Sequence, residues 1–160
     1  MDSEKRFSHV DSQGNPTMVD VSHKSLTSRS ATAKSIVVLG QEIMERLKQD
    51  EIHTKKGPVF QTAITAGIMA VKKTSELIPL CHPLPIENCK ITVVAEGLAV
   101  EVTCTVSLTG KTGVEMEALT GASVASLTIY DMCKAFSHDI VIKETRLHKK
   151  TGGKNDFSRE

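Results

Sequence analysis

Apolar and polar residues alternate along two neighbouring stretches of the chain. The first carries Cys89, Ile91, Val93 and Ala95; the second carries Leu98, Val100, Val102, Cys104, Val106 and Leu108. A period of two marks half-buried strands. Between them, Glu96-Gly97 is the expected two-residue turn. That turn sets Cys89 opposite Cys104, Ile91 opposite Val102 and Val93 opposite Val100. One face of the hairpin is then apolar throughout, and the two cysteines become small core residues. Arg29 to Val38, rich in small and β-branched residues, predicts a strand upstream. Ile140, Val141, Ile142 and Leu147 mark a final one. Helical spacing appears in three places. Gln41 to Gln49 carries Ile43, Met44 and Leu47. A second helix starts at Pro58, where a missing N–H costs nothing, and runs through Val59, Ala63, Ala66 and Ala70 to about Lys73. Its alanines and Gly67 predict a very close neighbour. Val114 to Phe136 is apolar almost all round, which predicts a long, deeply buried helix.

The order is strand, helix, helix, strand, strand, helix, strand. This is β-α-β-β-α-β with the first helical connection doubled, the pattern of an α+β ferredoxin-like sandwich with helices on one face of an antiparallel sheet. The other face is left bare, and its apolar content predicts packing on another subunit. Residues 1–27 form a polar N-terminal arm, expected to be partly flexible and punctuated only by Met18 to Val21. Residues 28–150 form the single domain, and 151–160 a polar tail.

Composition narrows the class. The 160 residues carry 20 Lys+Arg against 19 Asp+Glu, a formal charge of +1, which argues against general nucleic-acid coating. With no tryptophan and one tyrosine there is no platform for stacked bases. No apolar run reaches the ~20 residues of a membrane span, and the N-terminus has no signal-peptide core. Cys81, Cys89, Cys104 and Cys133 form no CxxC pair. A reduced, cytoplasmic, soluble protein is expected.

Several polar clusters go beyond what the fold needs. In Leu77–Pro85 two prolines flank Cys81-His82 and force extended backbone on either side. The bland explanation is a packed connector. Zinc ligation by this adjacent pair matches no standard spacing. Gly110-Lys111-Thr112 resembles the end of a phosphate-binding loop, but Thr105 stands where the upstream glycine belongs, so that motif fails. Glu115 and Glu117 open the long helix, where acids favour the helix dipole by about 0.3–1 kcal/mol, or else serve acid–base work. Asp131 and Lys134 share one helix face, either as a surface ion pair or as a mutually tuned acid–base pair in a partly buried cleft. Lys24, Arg29, Lys56, Lys72, Lys150 and Lys154 lie scattered outside regular elements. If several converge, they make a polyphosphate site.

Taken together, MVDV (Met18–Val21), KG (Lys56-Gly57), AGI (Ala66–Ile68), LIPLCHPL (Leu77–Leu84), LTGKTGVEMEALTGAS (Leu108–Ser123), LTIYDMCKA (Leu127–Ala135) and TGGK (Thr151–Lys154) resemble the MoaC family of molybdenum cofactor biosynthesis. The resemblance runs from about Phe7 to Phe157. It implies a substrate, a cyclic dihydro-GTP with guanine C8 joined to the ribose, supplied by the pathway's radical-SAM GTP cyclase. It implies a product, cyclic pyranopterin monophosphate, with pyrophosphate released. No step needs a redox cofactor, so none is expected to be tightly bound; Mg²⁺ would ride in on the triphosphate. Residue by residue, the resemblance makes Asp131, Lys134 and Lys56 catalytic. It makes Leu80, Cys81, His82, Met116 and Glu117 substrate-binding, with Glu115 alongside. It offers Arg29, Lys72, Lys150 and Lys154 to the triphosphate. Pro58 and Asn155 depart from the family's usual aspartate and serine. The family is a hexamer of three dimers with active sites at the dimer interface.

Geometry adds one inference. Glu117 and Asp131 are fourteen positions apart on one expected helix, about 21 Å at 1.5 Å per residue. Either the helix breaks near Gly121, or the site is shared between subunits. Two rivals stand beside this enzyme: a zinc-dependent nucleotide cyclohydrolase, and a non-catalytic pterin- or nucleotide-binding module.

Overall fold

Strand β1 (Thr27–Val38) alternates buried and half-buried positions from Ala31 to Val38. Ala31, Ala33, Ser35 and Val37 turn to the core. The computed structural model describes residues 9–159; the first eight residues of the expected arm, Phe7 among them, and Glu160 lie outside it. β1 is the centre of the main sheet, in the order β5 (Asn88–Glu96), β6 (Ala99–Gly110), β1, β7 (Val141–Thr151), β8 (Phe157–Ser158). All neighbours are antiparallel. Leaving aside the two-residue β8, this is the expected ferredoxin-like arrangement. Two helices, α2 (Val59–Lys72) and α4 (Glu115–Cys133), cover one face.

The hairpin register differs from expectation by two residues. Cys89 pairs with Val106, Ile91 with Cys104, and Val93 with Val102. The turn is Gly97-Leu98, with Gly97 at φ 59°. A slip of two keeps every side chain on its face, so apolar pairing cannot tell the two registers apart. The glycine's access to positive φ decides it. Cys104 is fully buried and Cys89 half-buried.

The expected helix from Gln41 to Gln49 is one turn only, α1 (Gln41–Met44). The chain then reverses through Gln49 and Asp50, both at positive φ, into a hairpin of β2 (Leu47–Lys48) and β3 (Glu51–Thr54). β3 pairs on with β4 (Gly57–Pro58). A second short helix, α3 (Thr74–Leu77), follows α2. Pro58, in extended conformation, precedes α2 and offers no side-chain cap. Glu51 takes that role from a distance: its carboxylate accepts the N–H groups of Phe60 at 2.8 Å and Gln61 at 3.1 Å. This ties the β3–β4 hairpin, and Lys56 within it, to the start of α2.

The close neighbour of Gly67 is α4. A Cβ there would meet Gly121 O at 2.9 Å and Ile91 Cδ1 at 2.5 Å. At Gly121 it would meet Cys104 Sγ and Val71 Cγ2, each at 2.6 Å. Gly67→Ala and Gly121→Ala are each expected to cost about 1–3 kcal/mol by overpacking; thermal unfolding measures the loss, and an unchanged melting temperature would contradict this packing.

Two expectations fail, one on exposure and one on polarity. α4 is not buried all round: Met116, Leu127 and Asp131 face outward, with Leu127 57 % exposed. The bare sheet face is not apolar. It carries a Lys34–Glu101 ion pair at 2.9 Å and a Thr32–Thr105 hydrogen bond at 2.9 Å. The alternation that fills the core leaves the polar set outside.

Candidate active site

α4 runs unbroken through Gly121, so its two ends build separate places. At its N-terminus opens a cleft of about 860 Å³, within the ~300–1,000 Å³ usual for small-molecule sites. Val114 gives the helix no side-chain cap, and Glu115 and Glu117 occupy its first turn. The cleft gathers Arg29, Leu80, Cys81, His82, Glu115, Met116, Glu117, Lys150 and Lys154 from the expected site. It adds Lys24 and Lys111, so five basic side chains face two glutamates.

Local structure explains the convergence. Arg29 lies on β1, and its guanidinium donates to the carbonyls of Gly110 and Lys111, each at 3.4 Å. Lys150, near the end of β7, reaches Glu115 at 3.1 Å. The chain then turns at Gly152, φ 85°, and packs back against Ser28 and Arg29. Thr27 Oγ1 holds the Gly152 carbonyl at 2.9 Å. Glu117 is 4 % exposed, and burial pushes its carboxyl above the ordinary value, with Glu115 adding repulsion. Burial also pushes the Cys81 thiol up, and Glu117 adds to it.

At the other end of α4, Asp131 is clamped by two lysines. Lys134 Nζ lies 2.7 Å from Oδ1, and Lys56 Nζ 2.8 Å from Oδ2. The Lys134 hydrogen bond, then that of Lys56, pulls the Asp131 carboxyl down to about 2; Asp131 in turn pushes the Lys134 ammonium up. Asp131 and Lys134 therefore each favour the charged form of the other. The expected partly buried setting is absent: the three side chains are 52–55 % exposed. Within one chain this is a solvated ion-pair cluster, about 21 Å along the helix from Glu117.

Lys72 joins neither group; it sits exposed in the last turn of α2, where its charge adds to the Cys104 hydrogen bond that pulls the Cys89 thiol down. Lys111 was the residue missed. Its signal was its place between Gly110 and Thr112, set aside once the phosphate-loop spacing failed. The arm residues Val19, Val21 and His23 also line the cleft, and nothing in their spacing announces it. Among the described residues, no group of three or more His, Cys, Asp or Glu side chains is gathered to hold a metal ion. Nor, among the same described residues, is any helix long and apolar enough to cross a membrane.

Comparison with known proteins agrees with the motifs. A model of the MoaC family matches residues 18–153. The chain is 53 % identical over 153 residues to the "Cyclic pyranopterin monophosphate synthase" of Xanthomonas oryzae pv. oryzae, covering 95 % of this chain and 93 % of that one. It is 54 % identical over 167 residues to "Molybdenum cofactor biosynthesis protein 1" of Dictyostelium discoideum, covering 93 % of this chain but only 26 % of that protein. It is 54 % identical to the "Molybdenum cofactor biosynthesis bifunctional protein" of Synechocystis sp., of which it spans 45 %.

Proposed function

This chain belongs to the MoaC family, and we propose that it is a lyase of molybdenum cofactor biosynthesis. It converts (8S)-3',8-cyclo-7,8-dihydroguanosine 5'-triphosphate to cyclic pyranopterin monophosphate and releases pyrophosphate. The observation that carries this reading is the division of labour along α4. A cationic cleft with two carboxyl groups lies at one end, and a lysine-flanked aspartate at the other.

In this reading the cleft binds the substrate. Arg29, Lys24, Lys111, Lys150 and Lys154 neutralise the triphosphate and the departing pyrophosphate. The Glu117 carboxyl, which burial makes hold its proton more tightly than an ordinary carboxylate, faces the purine-derived ring. Ring opening, pterin closure and attack of a hydroxyl on the α-phosphate all move protons. Asp131, held ionised, accepts them; Lys134 and Lys56 donate them or neutralise oxyanions. Because one straight helix separates the two sets, the Asp131 cluster of one subunit completes the cleft of another. The family resemblance makes the homo-oligomer a hexamer of three dimers with its sites at the dimer interface. The radical-SAM GTP cyclase acts one step earlier. No tightly bound cofactor is required, Mg²⁺ accompanies the triphosphate, and the cytoplasm is the compartment.

The test is pyrophosphate release from the cyclic dihydro-GTP by the purified chain. Turnover that survives a zinc-selective chelator, which leaves the Mg²⁺ on the triphosphate in place, supports the reading. Binding without release would reduce the chain to a nucleotide-binding module, and stoichiometric zinc with chelator-sensitive turnover would favour the cyclohydrolase. Arg29→Ala is expected to raise KM about tenfold or more, from the loss of a charge-assisted contact of about 1.5–3 kcal/mol.

A further inference from the structure

The Met18–Val21 motif has no charged side chain in the cleft, yet its backbone meets the site. His82 Nε2 lies 2.9 Å from the Val19 carbonyl oxygen. Three residues on, Lys111 Nζ donates to the Ser22 carbonyl at 2.8 Å. The turn between is closed by Asp20, which accepts the Ser22 N–H at 2.8 Å. The arm is thus fastened across the cleft at two points, both by residues that line it.

The first fastening has a chemical consequence. A carbonyl oxygen only accepts, so the neutral imidazole must carry its proton on Nε2. The other ring nitrogen, Nδ1, is then a lone-pair acceptor, and it has no hydrogen-bond partner among the described residues. We propose that the Val19 carbonyl fixes the tautomer of His82, leaving Nδ1 as the acceptor that takes a proton or hydrogen bond from the substrate in the cleft. This rests on the cleft being the substrate site. The two nitrogens therefore have separate tasks: Nε2 holds the arm, and Nδ1 serves the ligand. Val19 is a positioning residue acting through His82, and it does so by its main chain, so no side-chain pattern could reveal it.

The experiment has two arms. In the full-length chain with ¹⁵N-labelled histidine, with the pH raised until the ring signals no longer change, His82 is expected to show protonated Nε2 and bare Nδ1. A protonated Nδ1 overturns the proposal. Second, His82→Gln places an amide donor near the Nε2 position and no acceptor at Nδ1. It should keep the Ser22 and Lys24 amides, which bond to Asp20 and to the Val21 carbonyl within the fastened turn, as protected in hydrogen exchange as in the wild type, while turnover of the cyclic dihydro-GTP falls by about 10²-fold or more. His82→Ala should lose both. Turnover close to wild type in His82→Gln, or full arm protection in His82→Ala, defeats the division of tasks. Should the wild type itself not turn over this substrate, the functional reading fails, while the tautomer and the arm protection are still decided by the spectra and the exchange.

Discussion

Mixing two inactive variants is expected to restore activity. Asp131→Ala removes the acceptor clamped by Lys134 and Lys56. Glu117→Ala removes a buried carboxyl of the cleft. If one helix carried both to the same substrate, a mixed oligomer would hold only damaged sites. But α4 is continuous from Glu115 to Cys133, and fourteen residues of helix put about 21 Å between the two groups. Sites completed across a two-fold interface behave differently. In a heterodimer, one site collects both lesions and the other collects neither. Random reassociation of equal amounts makes about half the dimers mixed, so about a quarter of all sites are intact. Turnover near that fraction of wild type, from variants inactive alone, is the expected result. Absence of recovery in demonstrably mixed oligomers would rule out sharing. Asp131 is exposed, so its replacement should leave the fold intact; circular dichroism and thermal unfolding check that the buried Glu117→Ala subunit still folds and associates.

The sheet was easier to foresee than the loops around it, for physical reasons. Alternation is a strong signal where one face is buried, so β5 and β6 could be located from the chain alone, and β1 from its small and β-branched residues. Their register could not, because a shift of two residues preserves every apolar pair; only Gly97 at positive φ settles the turn. The helix expected from Gln41 to Gln49 failed because Ile43, Met44 and Leu47 fit a helical face while Gln49 and Asp50 adopt left-handed backbone in the structure. Such conformations are rare for residues other than glycine and are weakly signalled. Residue character also leaves open what covers α4 at Leu127, which is 57 % exposed in the structure. Burial in one chain needs a neighbour, and residue character alone does not say whether it comes from the same chain. The cleft was legible where a motif carried side chains into it, as with Cys81-His82, Glu115 to Glu117, and Lys150 with Lys154. It was not legible where main-chain atoms supply the contact, as at Val19 and Ser22.

Asp131→Asn is expected to abolish most turnover while barely changing stability. The amide keeps the shape of the carboxylate and loses its charge, so both lysine partners lose their counter-ion. Removing a positioned proton acceptor costs about 10²–10⁴ in kcat. The exposed ion pairs themselves add little to folding, because water and salt screen them. The pH dependence separates the two roles. Hydrogen bonds from Lys134 and Lys56 hold the Asp131 carboxyl at about 2, below its ordinary 3.8. A depressed value means that the pairing is fully present above the unfolded-state value and fades as pH falls towards 2. Across pH 5–9 Asp131 therefore stays ionised and gives no limb to the rate profile. Glu117 runs the other way. Its carboxyl is raised by burial, so the folded state holds that proton more tightly, and stability declines as pH climbs from the unfolded value through the folded one. The titration of Glu117 should appear in the profile of kcat/KM and vanish in Glu117→Gln. Asp131→Asn should lower the whole profile and leave that titration where it was. If the titration disappears with Asp131→Asn instead, or if this variant turns over like wild type, the catalytic cluster does not lie at the C-terminal end of α4.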